Sequence, residues 1–229
     1  MSSKEPPMGY AALFSGGKDS SLALWKAQSL GLDIDYLVTV YPKRKDSYMF
    51  HKPNLHLVPQ LAESLDIELM KIKTAGEKEK ELEDLKEGLK NLEINGLITG
   101  AVASKYQLER IENVSKELSL DVFAPLWNMD QSELLDELLK NDFQSTLVSV
   151  SALGLDDGWL GKTIDEKCIQ DLKKLNDRYG INISGEGGEY ETLVLGAPNY
   201  DQDFKVVEKE KRWDGKRGEL VIKKLKKVI

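Results

Sequence analysis

The sequence predicts an α/β protein: a parallel sheet with helices on both faces, followed by a smaller C-terminal α+β domain. Three observations carry this. Short β-type runs alternate with segments of helical periodicity as far as Asn128. A glycine-rich loop joins the first of those runs to the first helix. From Asp130 the alternation gives way to a leucine-rich helix, a strand, a second helix and then mostly β-type segments.

Tyr10 to Phe14 is a short apolar run that ends at a glycine pair. Leu22, Leu24, Trp25 and Leu30 then lead to Gly31 in the manner of a helix with a C-terminal glycine. Tyr36 to Tyr41 reads as a strand stopped by Pro42, Asn54 to Leu65 as a helix, and Ile67 to Ile72 as the next strand. Leu82, Leu85, Leu89 and Leu92 recur at helical spacing among charged residues, and Asn95-Gly96 closes that helix before the apolar Leu97-Ile98. Ser104 with Gln107, Asp130 with Glu133 and Thr163 with Glu166 have capping-box or related spacing and predict helix starts at all three. A strand is expected over Phe143 to Val150 and a helix ending at Gly180. These patterns divide the chain into residues 1–128 and 129–229, with no linker or internal repeat between them, so the two parts should pack closely.

With 229 residues, 41% of them hydrophobic, the chain is long enough to bury a full core. A single cysteine, Cys168, excludes an internal disulfide, and no apolar run reaches membrane-spanning length; the expected setting is the cytosol, without membrane association. A net charge of -7 argues against broad nucleic-acid binding. The C-terminal stretch from Lys211 to Lys227 is basic, and reads either as a lysine-protected edge strand or as a docking surface for an anionic macromolecule.

The strongest chemical signal is Ser15-Gly16-Gly17-Lys18-Asp19-Ser20, between strand and helix. Its glycines let backbone N–H groups turn inward, and the helix N-terminus adds positive potential, which makes an anion cradle. It is not a Walker A loop: Ala12 stands where glycine is needed and Asp19 follows the lysine. An aspartate beside phosphate repels it unless a divalent cation bridges the two, so Asp19 is the magnesium candidate and Lys18 a catalytic one. The competing reading is a tight turn in which Asp19 or Ser20 caps the helix; it accounts for neither Lys18 nor the double glycine.

The loop resembles that of the N-type ATP pyrophosphatases. Several segments resemble, more narrowly, the diphthine–ammonia ligase family: Ser47 to His51, Gly100 to Gln107, Arg110 with Glu112, Pro125 to Trp127, Gly154 to Asp156, Trp159 to Gly161 and Glu186 to Thr192. The resemblance covers nearly the whole chain and is to the short, archaeal type without extra C-terminal domains. It implies an adenine nucleotide α-hydrolase-like (HUP) sheet. It also implies adenylation of the diphthine carboxylate on elongation factor two, with Mg2+ as cofactor, and consumption of ATP and ammonium to give diphthamide, AMP and pyrophosphate. A homodimer is compatible with it. One departure stands out: Gly196 follows Leu195 where the family pattern has an aspartate.

Ser104, Tyr106 and Gln107 follow a β-type run and are nucleotide-contact candidates, although Ser104 and Gln107 also form a complete capping box. Arg110 reads as a phosphate or substrate contact, or as an ordinary surface arginine. Tyr48 and His51 enter as substrate contacts on the resemblance. Glu186, Gly187, Gly188, Glu189 and Glu191 form a glycine-interrupted acidic segment; if it is extended, period-2 geometry puts Glu189 and Glu191 on one face, where a trimethylammonium or ammonium would relieve their repulsion. Both are catalytic candidates. Trp159, flanked by glycines, reads as a cation-π or stacking residue, Trp127 as core, and Cys168 as core and not a nucleophile. Competing functions are adenylation in tRNA modification, which should show a broader basic surface, and a non-catalytic nucleotide-binding module, which has no use for the acidic residues.

Overall fold

The computed structural model describes residues 9–43, 53–77 and 80–228. Five parallel strands form the first sheet: β1 (Tyr10–Leu13), β2 (Ile34–Pro42), β3 (Glu68–Thr74), β4 (Gly96–Ile98) and β5 (Asp121–Phe123), in the order β3-β2-β1-β4-β5. Successive side chains of these strands point to opposite faces, and the core divides accordingly. Ala12, Leu37 and Ile98 face α1 (Lys18–Ser29) and α2 (Val58–Leu65). Their neighbours Ala11, Val38 and Leu97 face α3 (Lys80–Leu89) and α4 (Lys105–Leu118). Near-continuous apolar strands are what burial on both faces requires.

The remainder runs α5 (Gln131–Lys140), β6 (Ser145–Val150), a 3-10 turn at Asp157–Trp159, α6 (Glu166–Tyr179), β7 (Tyr190–Val194), β8 (Phe204–Trp213) and β9 (Gly218–Lys227). Its four strands make an antiparallel sheet in the order β7-β6-β9-β8. Leu134, Leu135 and Leu138 of α5 join Leu22 and Leu24 of α1 in one apolar cluster, and Trp25 meets Phe143 edge to face at 6.0 Å. The second part therefore covers the α1 and α2 layer of the first.

Hydrogen bonds cross the same junction. The Asn54 side chain donates to the Leu220 carbonyl at 2.9 Å and accepts from Ile222 N–H at 2.8 Å, so a buried amide pairs with β9 as a strand residue would. Ser64 donates to the Gln202 carbonyl at 2.7 Å, and Lys26 of α1 meets Glu137 of α5 at 2.7 Å.

Two of the three expected helix starts hold: Ser104 accepts from Gln107 N–H, and Asp130 from the N–H groups of Ser132 and Glu133. The third is displaced. Asp165 caps α6 by accepting from Cys168 N–H at 2.7 Å, while Thr163 pairs with Thr146 of β6 in an isolated bridge. An aspartate two residues on offers a better acceptor, and strand pairing holds Thr163 extended. Gly180 ends α6 in the left-handed conformation, φ 70°.

β8 is an outer strand and carries Lys205, Lys209, Lys211 and Arg212, as expected of a protected edge. Part of its charge is neutralised locally, since Glu210 lies 2.9 Å from Arg212 and 3.0 Å from Lys223.

Candidate functional site

The carboxyl end of β1 is where strand order reverses, with β2 on one side and β4 on the other, and ligands in such sheets bind there. A cavity of about 400 Å³ opens at this point. Three segments build it.

The first is the phosphate loop. Gly16 has φ 75°, and a Cβ there would lie 2.7 Å from Leu61 Cδ1, so both the turn and its packing need glycine. Ser20 Oγ accepts from Ser15 N–H at 3.2 Å and donates to the Gly17 carbonyl at 3.1 Å, closing the loop on itself. Gly17 is the N-cap of α1 and brings no side-chain acceptor, which disposes of Asp19 or Ser20 as cap. Ser15, Gly17, Lys18, Asp19 and Ser20 all line the cavity.

The second segment follows β4. A Cβ on Gly100 would come within 2.8 Å of Ser20 N and of the Asp19 carbonyl carbon, so glycine here lets this loop lie directly against the first turn of α1. Ser104, Tyr106 and Gln107 line the cavity beyond it, and Ser104 also caps α4. Arg110 is not a lining residue. Its guanidinium stacks on the Tyr106 ring, 3.9 Å from the ring centre.

The third segment is the turn Gly185 to Gly188, closed by Gly188 N–H donating to the Gly185 carbonyl, with Glu186, Glu191 and Thr192 facing the cavity. Here β7 reaches the phosphate loop directly. Thr192 Oγ1 accepts from Lys18 N–H at 3.0 Å, and Val194 N–H donates to the Gly16 carbonyl at 2.8 Å.

Lys18 is the centre of the arrangement. Its side chain is 4% exposed, its Nζ lies 2.7 and 2.8 Å from the two Asp19 oxygens and 3.7 Å from Glu186 Oε1, and the Tyr190 ring lies 5.8 Å away. Burial lowers the ammonium's pKa, but Asp19, Glu186 and Glu191 more than offset it, so the net shift is upward and Lys18 stays charged. Burial, with Asp19 and Glu186 nearby, also drives the Tyr190 hydroxyl well above the usual phenol range, and that hydroxyl donates to the Ile183 carbonyl at 2.7 Å.

The expected pairing of Glu189 with Glu191 does not form. Glu189 Oε1 accepts from Asn182 N–H at 2.9 Å and Oε2 from Gly187 N–H at 2.8 Å, and the residue is absent from the cavity lining. Period-2 geometry starts only at Tyr190; Gly188, at φ 83°, turns the chain just before it. The glutamate that shares the cavity with Glu191 is Glu186, and Asp19 lines it as well. Trp159 is also placed elsewhere: it is 7% exposed in the core, with Lys162 Nζ 4.0 Å from its ring. Tyr48 and His51 lie outside the described residues.

Sequence reasoning gave Thr192, Tyr190 and the carboxyl end of β2 no role, yet Val38, Thr39 and Val40 line the cavity and Thr39 Oγ1 donates to the Phe14 carbonyl at 2.6 Å. The available signal for β2 was its position as a neighbour of β1; for Thr192, its partner is 174 residues away and no local pattern points to it.

Among the described residues no group of three His, Cys, Asp or Glu side chains is arranged to hold a metal ion. Asp19 lines the cavity with both carboxylate oxygens held by Lys18, so a magnesium ion placed there would take one carboxylate and complete its shell with substrate phosphates and water. Cys168 is buried in α6, and burial, with Asp165 nearby, pushes its thiol up to about 11, which removes it as a nucleophile. At Gly196 a Cβ would sit 2.5 Å from Asp203 Oδ1, so a larger residue there would require the Asp203 side chain to move.

Comparison with known proteins gives two family matches, the diphthamide synthase N-terminal domain over residues 8–122 and its C-terminal domain over residues 130–228. Diphthine–ammonia ligase of Homo sapiens is 37% identical over 217 residues, covering 83% of this chain and 80% of that protein. The Bos taurus protein of the same name is 36% identical over 214 residues with the same coverage. The Schizosaccharomyces pombe protein is 34% identical, covering 86% of this chain but 36% of its own length. A solved structure described as a predicted subunit of tRNA methyltransferase from Methanocaldococcus jannaschii DSM aligns at 18% identity and a TM-score of 0.45, over 83% of this chain and 98% of that one, a likeness too low to carry a statement about function.

Proposed function

The chain belongs to the diphthine–ammonia ligase family, and we propose that it is an ATP-dependent carboxylate–amine ligase that amidates diphthine on elongation factor two in the cytosol. The observation that carries this reading is the meeting, in one cavity, of a phosphate loop with two acids from the glycine turn and β7, Glu186 and Glu191, around the buried Lys18 ammonium.

A carboxylate oxygen of diphthine attacks the α-phosphorus of ATP, the bond from that phosphorus to the bridging oxygen breaks, and pyrophosphate leaves. Ammonia then attacks the acyl carbon of the adenylate, AMP departs with the carboxylate oxygen, and the protons left over from ammonium pass to solvent. The loop residues that line the cavity at the start of α1, Ser15 and Gly17 to Ser20, and the Lys18 ammonium receive the phosphates. Magnesium, held through Asp19, would neutralise the charge of the departing pyrophosphate. Tyr106 and Gln107, with the end of β2, line the side of the cavity suited to the nucleoside. Glu186 and Glu191 are suited to receive a cation, the trimethylammonium of diphthine or the incoming ammonium.

Free ammonium is the nitrogen donor in this reading, because the chain's one thiol, Cys168, is buried and held protonated. The test is to incubate the protein with ATP, magnesium, ammonium and elongation factor two bearing diphthine. Amidated peptide by mass spectrometry, together with AMP and pyrophosphate, is the expected result. ADP and phosphate, or an unmodified peptide, would refute it.

A further inference from the structure

Glu189 has an unusual environment for an acid beside a ligand cavity. Its two oxygens accept from Asn182 N–H at 2.9 Å and Gly187 N–H at 2.8 Å, tying the start of the loop to the far side of the turn that carries Glu186. Charge-assisted bonds of this kind are stronger than neutral ones. Glycine at 187 leaves room for the carboxylate as it lies here, since a Cβ there would be 2.6 Å from Glu189 Oε1, and the turn itself needs glycine at 185 and 188, with φ 80° and 83°. The outside of the loop is fastened separately, since Ser151 N–H donates to the Glu189 carbonyl at 2.8 Å. What the loop presents to the cavity is the Glu186 carboxylate, 3.7 Å from Lys18 Nζ.

We infer that Glu189 is a positioning residue: its carboxylate holds the Gly185–Gly188 turn closed so that Glu186 faces Lys18, and it acts on the reaction only through Glu186. The kinetic part of this inference rests on the reading of Glu186 as a receiver of the cationic reactant; the structural part does not. A glutamine at 189 keeps one acceptor oxygen but turns an amide donor toward the second N–H, so one bond is lost and two donors face each other.

The test is a cycle of E186Q, E189Q and the double variant, each assayed for amidation as above, with a crystal structure of E189Q. The expected result has three parts. E189Q and E186Q each lower kcat/KM for the cationic reactant by about tenfold or more, as a lost charge-assisted contact would, with KM for ATP unchanged. The double variant falls no further than E186Q alone. In the E189Q crystal Glu186 has left Lys18. Gly187→Ala, which crowds the carboxylate from the other side, reproduces E189Q and serves should E189Q fold poorly. Additive losses in the double variant, or Glu186 still against Lys18 in the crystal, would overturn the inference. Normal amidation by E186Q would instead sink the assignment of Glu186 to the cation, while the crystal still decides whether Glu189 positions it.

Discussion

Asp19 is tied through both oxygens to Lys18, its neighbour in sequence, and the pair sits at the mouth of an α-helix whose first turn lines the cavity. A carboxylate so placed repels phosphate unless a cation intervenes, so Asp19→Ala should cost at least about a hundredfold in amidation, the scale of a lost transition-state stabiliser, without loss of fold. Near-native turnover in magnesium would remove Asp19 from the metal assignment. Cys168 offers a check of opposite character. Its thiol is held up to about 11 against an unfolded value of about 8.5, so the folded protein keeps the proton that the unfolded chain releases. Stability is therefore undiminished below about pH 8.5 and declines between there and about 11. At pH 8 an alkylating reagent should label native protein far more slowly than urea-unfolded protein, and Cys168→Ala should amidate normally with ammonium. Rapid labelling of the native thiol would contradict its burial.

At the scale of elements, the join between β7 and α1 is the contact that unites the two halves of the site. Thr192→Val keeps the side-chain volume but leaves Lys18 N–H as a buried donor without its acceptor, at a cost of about 1–3 kcal/mol. A lowered melting temperature together with a raised KM for ATP is expected; unchanged values in both would mean that the loop holds its shape without β7. Such joins mark the limit of what the sequence discloses. Strands β1 to β4, the helices between them and the caps at Ser104 and Asp130 were legible, because hydrophobic period and cap chemistry are local. The phosphate loop was legible because strand, double glycine and helix follow one another within a few residues. The misassigned parts are those decided by partners distant in sequence or by a single backbone angle. Thr163 was drawn into a bridge with β6. Glu189 was turned away from the cavity as Gly188 adopts a positive φ, and the glutamate of that turn that lines the cavity is Glu186, three residues earlier. Trp159 has glycine neighbours as a loop aromatic would, yet core packing claims it.

The whole molecule is held together by a core that ignores the division of the chain into two sheets. One apolar cluster runs from Ala12 and Phe14 through Leu134 and Leu147 to Leu225, while the smaller cluster on the other face of the parallel sheet stays within residues 11–122. Removing the antiparallel part would strip one face of α1 and α2, leave Asn54 without its two partners on β9, and take Thr192 and Val194 from the phosphate loop. Each of these is a buried polar or apolar loss of the kind that costs several kcal/mol together, comparable to the whole stability of an ordinary domain, roughly 5–15 kcal/mol. The two sheets should therefore unfold together. Tryptophan fluorescence has reporters on both sides, Trp25 on α1 and Trp213 on β8, and far-ultraviolet circular dichroism reports all helices. Their denaturation curves should coincide in one transition, and Asn54→Ala, which breaks the contact with β9, should move that single transition without splitting it. Two resolved transitions, or a variant that shifts only one probe, would mean that the sheets are separate folding units and that the cavity between them is assembled by docking.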